Sequence, residues 1–488
     1  MFRNRRAASL SLHEVLPSTR ADMLLRRGLR TSGVRRLFSS LRSSDEPYDV
    51  VVVGGGVMGA WAAVCAAKRG ARVCLADQYE PAHNHGSSHG DGRIYRVAYT
   101  EDIYVDMMLH SLPLWRELQA HSGEQLMAET GGVNLGPTDG SRLGELSALY
   151  ERRGIAHEWL NAQAMNERFP QFSLSPAHHA LYQPDFGVLF ASKCVSAAWR
   201  YADSLGVESR TPFRVAAVRA DDDDNGVTVL EGFDGSKLRG RSVVLALGAW
   251  MSTLVESWFG LHVPTTVSAE TVCYYAPREG TPIDHSYGAM PVFCADDDNG
   301  LGPFGYYGLP MIDIQGIKAS AHYCGPTVHP DLRPTSAGGS ASNRRNEAAI
   351  GEEAWEAAWA AAEADAEAER VADAAAAARV ADVIESTSRY VQHTFPHVEH
   401  TPFTTQSCLY TSTADHDYVL SMMPSHSRVI LAGGGSGHAF KMGPAIGDAA
   451  ACLALQEEPP FALDRFDVKR LLRLEGDALD HERTAPRR

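Results

Sequence analysis

Three glycines and one aspartate have the types and spacing of a nucleotide-binding turn. Gly54, Gly56 and Gly59 form a GxGxxG pattern, and Asp77 follows 23 positions after the first of them. The first glycine permits a tight turn, the second lets the backbone approach a pyrophosphate, and the third lets a helix pack closely on a strand. An acid about 20 residues further on suits a ribose hydroxyl. The pattern predicts dinucleotide binding, without separating NAD from FAD.

The residues around this turn predict the elements that must hold it. Residues 48–54 are a short apolar run that ends in glycine, which is typical of a buried parallel strand. Residues 58–69 are rich in alanine and predict a helix that stops at Gly70. A second apolar run at residues 72–76 completes a βαβ unit.

Two later runs predict further buried strands of the same kind. Residues 242–247 and 428–432 are short and apolar, and each leads directly into glycine, at Gly248 and in the stretch that contains Gly434. We expect these two turns to meet the first one around a single cofactor.

Several separated segments beyond Asp77 resemble one family of flavoenzymes, the FAD-dependent amine oxidases that include monomeric sarcosine oxidase and L-pipecolate oxidase, within the D-amino-acid-oxidase-like superfamily. The segments that carry this resemblance are HGSSHGDGRIYR (85–96), GYYGLP (305–310), GIKASAH (316–322), SCLYTST (407–413) and SGHAFK (436–441). The resemblance extends from about Tyr48 to Leu472.

The resemblance implies an α/β fold with two domains. One is a discontinuous Rossmann-like FAD-binding domain, and the other is a substrate domain built largely on antiparallel sheet. We predict the FAD-binding domain at residues 46–130, 187–264 and 405–488, and the substrate domain at residues 131–186 and 265–404.

The cofactor that the resemblance implies is FAD. The residues expected to bind it are Gly54, Gly56, Gly59, Asp77, Ser88, Arg93, Gly248, Gly434, Gly437, His438 and Lys441. In the family the cysteine that matches Cys408 holds the flavin covalently through a thioether to its 8α-methyl group. By its chemistry alone Cys408 is one of eight cysteines, and an inert buried thiol is the alternative.

The resemblance also implies roles for cationic and aromatic residues. Lys318 would stabilise superoxide as O2 takes electrons from the reduced flavin, with the reduced flavin as the anion that a buried ammonium needs. Arg96 and Lys441 would grip the substrate carboxylate. The alternatives are a lysine that extends to the surface and ordinary surface salt bridges. His89 and Arg93 would lie beside the flavin, while Tyr307 and His322 would line the substrate pocket.

Two glycines depart from the family pattern. Gly92 and Gly435 stand where larger residues are common in the family. Loss of those side chains would loosen the flavin contacts or enlarge the pocket.

The implied reaction is oxidation of a small secondary amino acid, such as sarcosine or L-pipecolate, to an imine with reduction of O2 to H2O2. A related mitochondrial flavin dehydrogenase that passes electrons to a carrier is the nearest alternative. An NAD-dependent enzyme and a non-catalytic FAD-binding protein are two further alternatives.

Charge and cysteine spacing restrict the other partners. The net charge of −15 disfavours nucleic acid and anionic membranes, and no apolar stretch is long enough to span a bilayer. The eight cysteines show no CxxC spacing, so we expect no metal site. The expected ligands are a small amino acid and O2, bound by a monomer.

Two segments are expected to lie outside this core. Residues 1–45 contain ten arginines and no lysine, which is typical of a transit peptide, with a mitochondrial address expected and a plastid address as the alternative. Residues from about 334 to 380 are rich in alanine and glutamate and predict a surface insertion with an exposed helix.

Overall fold

The computed structural model describes residues 46–220, 226–332 and 366–474. The predicted transit peptide, at residues 1–45, and residues 334–365 of the predicted insertion lie outside the described residues.

The described chain alternates strands and helices in its first part and is richer in strand in the middle. The helices are α1 Val57–Lys68, α2 Asp102–Ser122, α3 Ser141–Arg153, α4 Ala162–Arg168, α5 Ala191–Ser204, α6 Met251–Phe259, α7 Ala366–Thr394, α8 Gly443–Leu455 and α9 Lys469–Leu474. The strands are β1 Tyr48–Val53, β2 Val73–Ala76, β3 Arg93–Tyr95, β4 Met127–Glu129, β5 Gly132–Pro137, β6 Glu158–Asn161, β7 His178–Gln183, β8 Gly187–Leu189, β9 Glu208–Arg210, β10 Val215–Ala220, β11 Thr228–Gly232, β12 Lys237–Leu245, β13 Thr266–Tyr275, β14 Val292–Ala295, β15 Tyr306–Leu309, β16 Ile317–Ala321, β17 Thr404–Ser412, β18 Val419–Met423 and β19 His426–Gly433.

The first large sheet brings the three glycine turns together. β1 pairs in parallel with β2 and β12, and β12 pairs in parallel with β19. Because the carboxyl ends of parallel strands meet at one edge of a sheet, the turns at Gly54, Gly248 and Gly434 share that edge. The expectation that these three turns meet is therefore confirmed.

Helix α1 is apolar on all sides because it lies inside this part of the molecule. It packs against α8 and the sheet, and almost every residue after its first turn is buried. Gly70 ends it with a left-handed backbone at φ +91°, as expected from the stop signal at this position.

The second large sheet is mostly antiparallel, in the order β17-β13-β16-β15-β14-β5-β7-β6, with β14 and β5 parallel. One of its faces packs on α7. Tyr306, Ile317 and Ala319 on the sheet belong to the same core cluster as Val383 and Tyr390 on the helix. The opposite face is left to line a cavity.

The helix predicted for the insertion extends further than expected. Residues 373–380 of α7 are mostly exposed, as predicted, but the helix continues to Thr394. From Val383 onward it contributes buried residues to the second sheet. The exposed spacer therefore runs directly into a core helix.

The predicted domain boundaries stay a prediction. Strand β17 lies in the second sheet, although it falls inside the segment assigned to FAD binding. A small sheet, β3-β8-β4, contains Arg93 at the start of β3. Within the described ranges no helix is both long and apolar enough to cross a bilayer.

Candidate active site

A cavity of about 790 Å³ lies between the carboxyl edge of the first sheet and the open face of the second, a volume in the usual range for cofactor sites. Of the predicted site residues only Gly59 is absent from its lining. The lining includes Gly54, Gly56, Asp77, Ser88, His89, Arg93, Arg96, Gly248, Tyr307, Lys318, His322, Cys408, Gly434, Gly437, His438 and Lys441.

One end of this cavity, the dinucleotide end, is formed by Gly54, Gly56, Asp77 and Ser88. Gly54 has a φ of +96°, and a Cβ there would lie 2.2 Å from the carbonyl oxygen of Ala246. Gly56 is the N-cap of α1 and lies in the cavity lining with Val57 and Met58, so the amino end of the helix faces the cavity.

Gly59 acts through packing. A Cβ on this residue would lie 1.8 Å from the carbonyl oxygen of Gly54, so α1 can approach the turn only with glycine at this position. That is the role the GxGxxG spacing assigns to the third glycine.

Asp77 and Ser88 fix the loop beside the turn. The Asp77 carboxylate accepts hydrogen bonds from the backbone N–H groups of Gly55 at 2.6 Å and Tyr79 at 2.8 Å. Burial raises the pKa of Asp77. Ser88 Oγ accepts from the N–H of Val57 at 3.1 Å. These residues fit the pyrophosphate and ribose of a dinucleotide.

The other end, the redox end, is formed by Arg93, Arg96, Lys318, Cys408 and Lys441. Strand alternation explains why the second sheet supplies two of these. Lys318 on β16 is paired with Tyr274 on β13. Strand β17, which carries Cys408, pairs with the opposite edge of β13. Side chains two apart on a strand share a face, so the polar positions face the cavity while the apolar ones pack on α7.

Lys318 is buried, at 4 % exposure, and does not extend to the surface. Its Nζ donates to Asp91 Oδ1 at 3.2 Å and to the carbonyl oxygen of Gly92 at 3.4 Å. Burial lowers the pKa of Lys318, and Asp91 opposes that effect. From the sequence, the reduced flavin was expected to be the anionic partner of Lys318. The Asp91 carboxylate supplies that partner within the protein.

Asp91 was not singled out from the sequence. It stands between two glycines in the segment that carries the family resemblance, and its side chain is only 6 % exposed. Its Oδ1 also accepts from the hydroxyl of Tyr274 at 2.8 Å. Although burial alone would raise it, the pKa of Asp91 is lowered by Lys318 and Tyr274. The sequence signal that could have identified Asp91 is an acidic residue between two glycines in a charged loop.

Arg93 and Cys408 are in contact. Arg93 Nη2 donates to Cys408 Sγ at 3.4 Å and to the carbonyl oxygen of Ser87 at 3.0 Å. Cys408 is half-buried and all eight cysteines are free thiols. A half-exposed thiol in the lining of the cavity is accessible to a bound group, unlike the buried Cys65 or Cys194.

Arg96 and Lys441 both lie near the aromatic ring of Tyr99. The Arg96 Cζ is 5.8 Å and the Lys441 Nζ 5.2 Å from the ring centre of Tyr99. Arg96 donates at 3.4 Å to Ala98 O and Asn134 Oδ1. No ion pair of Arg96 with a carboxylate occurs in the part of the chain that the structure describes. Both cations line the cavity, so an anionic ligand bound there would meet positive charge.

Aromatic side chains enclose the space beside these cations. The His322 ring centre is 5.0 Å from that of Tyr307 and 4.3 Å from that of Tyr323. His322 Nδ1 lies 3.3 Å from the Tyr410 hydroxyl. Burial raises the pKa of both Tyr307 and Tyr410, so both hydroxyls stay protonated at neutral pH.

His438 lines the cavity but its ring is held by the protein. Its Nδ1 lies 2.7 Å from the Tyr418 hydroxyl, and its Nε2 lies 3.1 Å from the carbonyl oxygen of His416. These contacts position the turn that contains Gly437. His89 also lines the cavity.

The two glycines that depart from the family pattern do not leave empty space. A Cβ on Gly92 would lie 2.5 Å from Ile312 Cδ1, and one on Gly435 would lie 3.2 Å from the Cβ of Ala439. Neighbouring side chains lie close to both positions, most closely at Gly92, and the expected effect on flavin contacts or pocket size stays a prediction.

This fold and this cavity define an oxidoreductase that uses a dinucleotide cofactor. The sequence profile of the FAD dependent oxidoreductase family matches residues 49–453, and the chain belongs to that family. The cofactor is therefore FAD, as predicted, and not NAD. Among the described residues no group of three or more histidine, cysteine or carboxylate side chains could hold a metal ion.

Individual relatives agree with this family. The chain is 28 % identical over 437 residues to a probable sarcosine oxidase of Arabidopsis thaliana, covering 87 % of this chain and 94 % of the relative. It is 27 % identical to N-methyl-L-tryptophan oxidase of Salmonella arizonae, covering 87 % and 99 %. The solved structure of NikD, an amino acid oxidase of nikkomycin biosynthesis, superposes with a TM-score of 0.67 at 23 % identity, covering 86 % and 97 %.

Proposed function

We propose that this enzyme oxidises the C–N bond of a small secondary amino acid, such as sarcosine, L-pipecolate or another N-alkyl amino acid, and passes the electrons to O2. The observation that carries the proposal is the pair of cations, Arg96 and Lys441, on the Tyr99 ring at the redox end of a flavin cavity. The names of the relatives, sarcosine oxidase and N-methyl-L-tryptophan oxidase, support the same substrate class.

Arg96 and Lys441 bind the substrate carboxylate in this proposal. The planar guanidinium can donate two parallel hydrogen bonds to a carboxylate, and the ammonium adds a point charge. Two cations explain why an amino acid rather than a plain amine would bind. They also lower the pKa of a bound amine, so the amine can enter neutral and needs no strong general base.

Oxidation of the substrate releases two electrons, and reduction of O2 to H2O2 takes up two. Bound FAD supplies a two-electron acceptor for the hydride that leaves the carbon next to the amine. The substrate becomes an imine, which water hydrolyses to a carbonyl and an amine, while O2 with two electrons and two protons becomes H2O2. The protonated Tyr307 and Tyr410, with His322, enclose the substrate and exclude water.

Lys318 provides a fixed positive charge in the same cavity. A preorganised cation stabilises negative charge that develops on O2 during electron transfer. This cation supports O2 as the acceptor and disfavours the alternative of a dehydrogenase that uses a carrier.

The experiment that tests the reaction is anaerobic titration of the purified flavoprotein with secondary amino acids, followed by admission of O2. We expect sarcosine, L-pipecolate or N-methyl-L-tryptophan to bleach the flavin, with glycine and L-tryptophan as matched primary amines that do not. Flavin that recovers its colour with one equivalent of H2O2 supports the oxidase. Bleaching without rapid recovery in O2 would support the dehydrogenase, and no bleaching by any of them would contradict the proposal.

The flavin is proposed to be attached covalently to Cys408. Forming the thioether removes one hydrogen from the sulfur and one from the 8α-methyl group, and O2 takes up the two electrons. Cys408 lies in the cavity lining, where its Sγ accepts a hydrogen bond from Arg93 Nη2 at 3.4 Å. After acid precipitation, the wild-type pellet should retain the flavin and the Cys408→Ser pellet should not. Flavin in the wild-type supernatant would refute the attachment.

We also propose that residues 1–45 direct the protein to mitochondria, because their arginine-rich, acid-poor composition is typical of such leaders. A fusion of these residues to a fluorescent protein should accumulate in mitochondria. The same fusion with its arginines replaced by glutamine should not, and plastid accumulation would favour the alternative.

A further inference from the structure

The buried pair of Lys318 and Asp91 joins two separate parts of the cavity wall. Lys318 stands on β16 in the second sheet, while Asp91 belongs to the loop that enters β3. Their side chains are 5 % and 6 % exposed and lie 3.2 Å apart. An ammonium buried to this degree loses most of its hydration, so its charged form depends on this one carboxylate.

Asp91 is itself fixed by more than the ion pair. Its Oδ1 accepts from the Tyr274 hydroxyl at 2.8 Å and from the N–H of Gly92 at 2.8 Å. The Tyr274 hydroxyl oxygen also lies 3.1 Å from Gln406 Oε1. The Oδ1 of this carboxylate is therefore held by three donors, of which only Lys318 is charged.

The groups that face Lys318 from each packed element leave Asp91 as its counterion. Arg93 approaches from β3 and disfavours the ammonium, while Tyr274 on β13 and Cys408 on β17 are neutral when protonated. Without Asp91, burial and Arg93 would both act to neutralise Lys318.

We infer that Asp91 is a positioning residue for Lys318: it keeps the ammonium charged and oriented in the cavity and thereby sets the pH range in which the reduced enzyme reacts with O2. This inference rests on the proposed function, because it deepens the role of Lys318 in the oxygen reaction. It assigns no contact of Asp91 with substrate.

The test measures reoxidation separately from substrate chemistry. The flavin of each variant is reduced with dithionite, excess reductant is removed, and the rate of reoxidation by O2 is followed between pH 6 and pH 9.5. We expect wild-type rates to vary little over this range. Asp91→Asn should approach the wild-type rate at low pH and fall at least tenfold toward the rate of Lys318→Met as the pH rises, since the unpaired ammonium loses its proton.

Two further variants keep the test decisive if Asp91→Asn folds poorly. Asp91→Glu retains the charge and should show little pH dependence. The double variant Asp91→Asn/Lys318→Met removes the pair and should match Lys318→Met alone, because Asp91 would have nothing left to act on.

A matched control removes a different buried aspartate. Asp448 on α8 is bound by Arg69 at 2.7 Å and by His110 at 2.9 Å, outside the cavity lining. Asp448→Asn should leave the reoxidation profile unchanged.

The flavin reduction potential gives a second readout for Asp91→Asn. It should rise at low pH, because an unpaired positive charge favours the reduced flavin, and it should return toward the wild-type value at high pH.

The outcomes separate the inference from the proposed function. A flat Asp91→Asn profile, at the wild-type rate or uniformly slowed, would overturn the role of Asp91. If Lys318→Met itself reoxidises as fast as wild type, the role of Lys318 in the proposed function fails instead, whatever Asp91 does.

Discussion

The two ends of the cavity are held in different ways. At the dinucleotide end the shape comes from the backbone, since Gly54 adopts φ +96° and Gly59 lies where a Cβ would be 1.8 Å from a carbonyl oxygen. At the redox end it comes from buried charges, such as Lys318 with Asp91. We therefore expect the first end to be sensitive chiefly to added atoms and the second chiefly to changes of charge.

The largest effect should come from adding atoms at the dinucleotide end. Gly59→Val would place its Cβ in collision with the carbonyl oxygen of Gly54, so α1 would have to move away from the turn. We expect soluble protein to fall sharply and what remains to contain no flavin, measured by absorbance near 450 nm per polypeptide.

A glycine in open space provides the control. Gly144 lies inside α3 and an added Cβ meets nothing within 4 Å. Gly144→Ala should keep its flavin and gain about 0.5–1 kcal/mol of stability. Full flavin content in Gly59→Val would contradict the backbone description of this end.

The same difference explains what the sequence could predict. The βαβ unit, the glycine turns and Asp77 follow from a local pattern, and the three turns converge because parallel strands share an edge. The redox end joins β3, β16, β17 and the turn that contains Lys441, which are spread along the chain from residue 93 to residue 441. The family resemblance named most of its side chains, but the pairing of Asp91 with Lys318 depends on how the loop before β3 lies against β16 in the folded chain.

The second prediction removes a charge at the redox end. Lys318→Met should slow reoxidation by O2 by about 100-fold, the usual cost of losing one preorganised group that stabilises developing charge. Reduction by substrate under anaerobic conditions should change much less. Stopped-flow measurement of both half-reactions checks this split, with Lys318→Arg as the variant that keeps the charge. Equal slowing of both half-reactions would show that Lys318 has a general structural role.

The third prediction concerns substrate affinity. Arg96→Met should raise the KM for the amino acid by about 10- to 100-fold, since a charged hydrogen bond contributes roughly 1.5–3 kcal/mol. Arg96→Lys should recover only part of this loss because it lacks the planar fork. Arg116 pairs with Glu129 on the surface at 56 % exposure, so Arg116→Met is the matched control. An unchanged KM in Arg96→Met would move the carboxylate site elsewhere in the cavity.

The smallest effect tests whether a buried charge outside the cavity affects stability alone. Arg69 and His110 hold the pKa of Asp448 at about 2, despite the opposing effect of burial. A carboxyl whose pKa is lowered on folding stabilises the fold above its unfolded pKa, and this contribution is lost as the pH falls through the folded value. The shift corresponds to about 2 kcal/mol. Asp448→Asn should therefore lower the free energy of unfolding by up to that amount at pH 7 and by less near pH 3, as measured by urea unfolding. An equal loss of unfolding free energy at both pH values would assign the effect of Asp448→Asn to packing. An altered rate of reaction with O2 would show that a charge outside the cavity also affects the redox end.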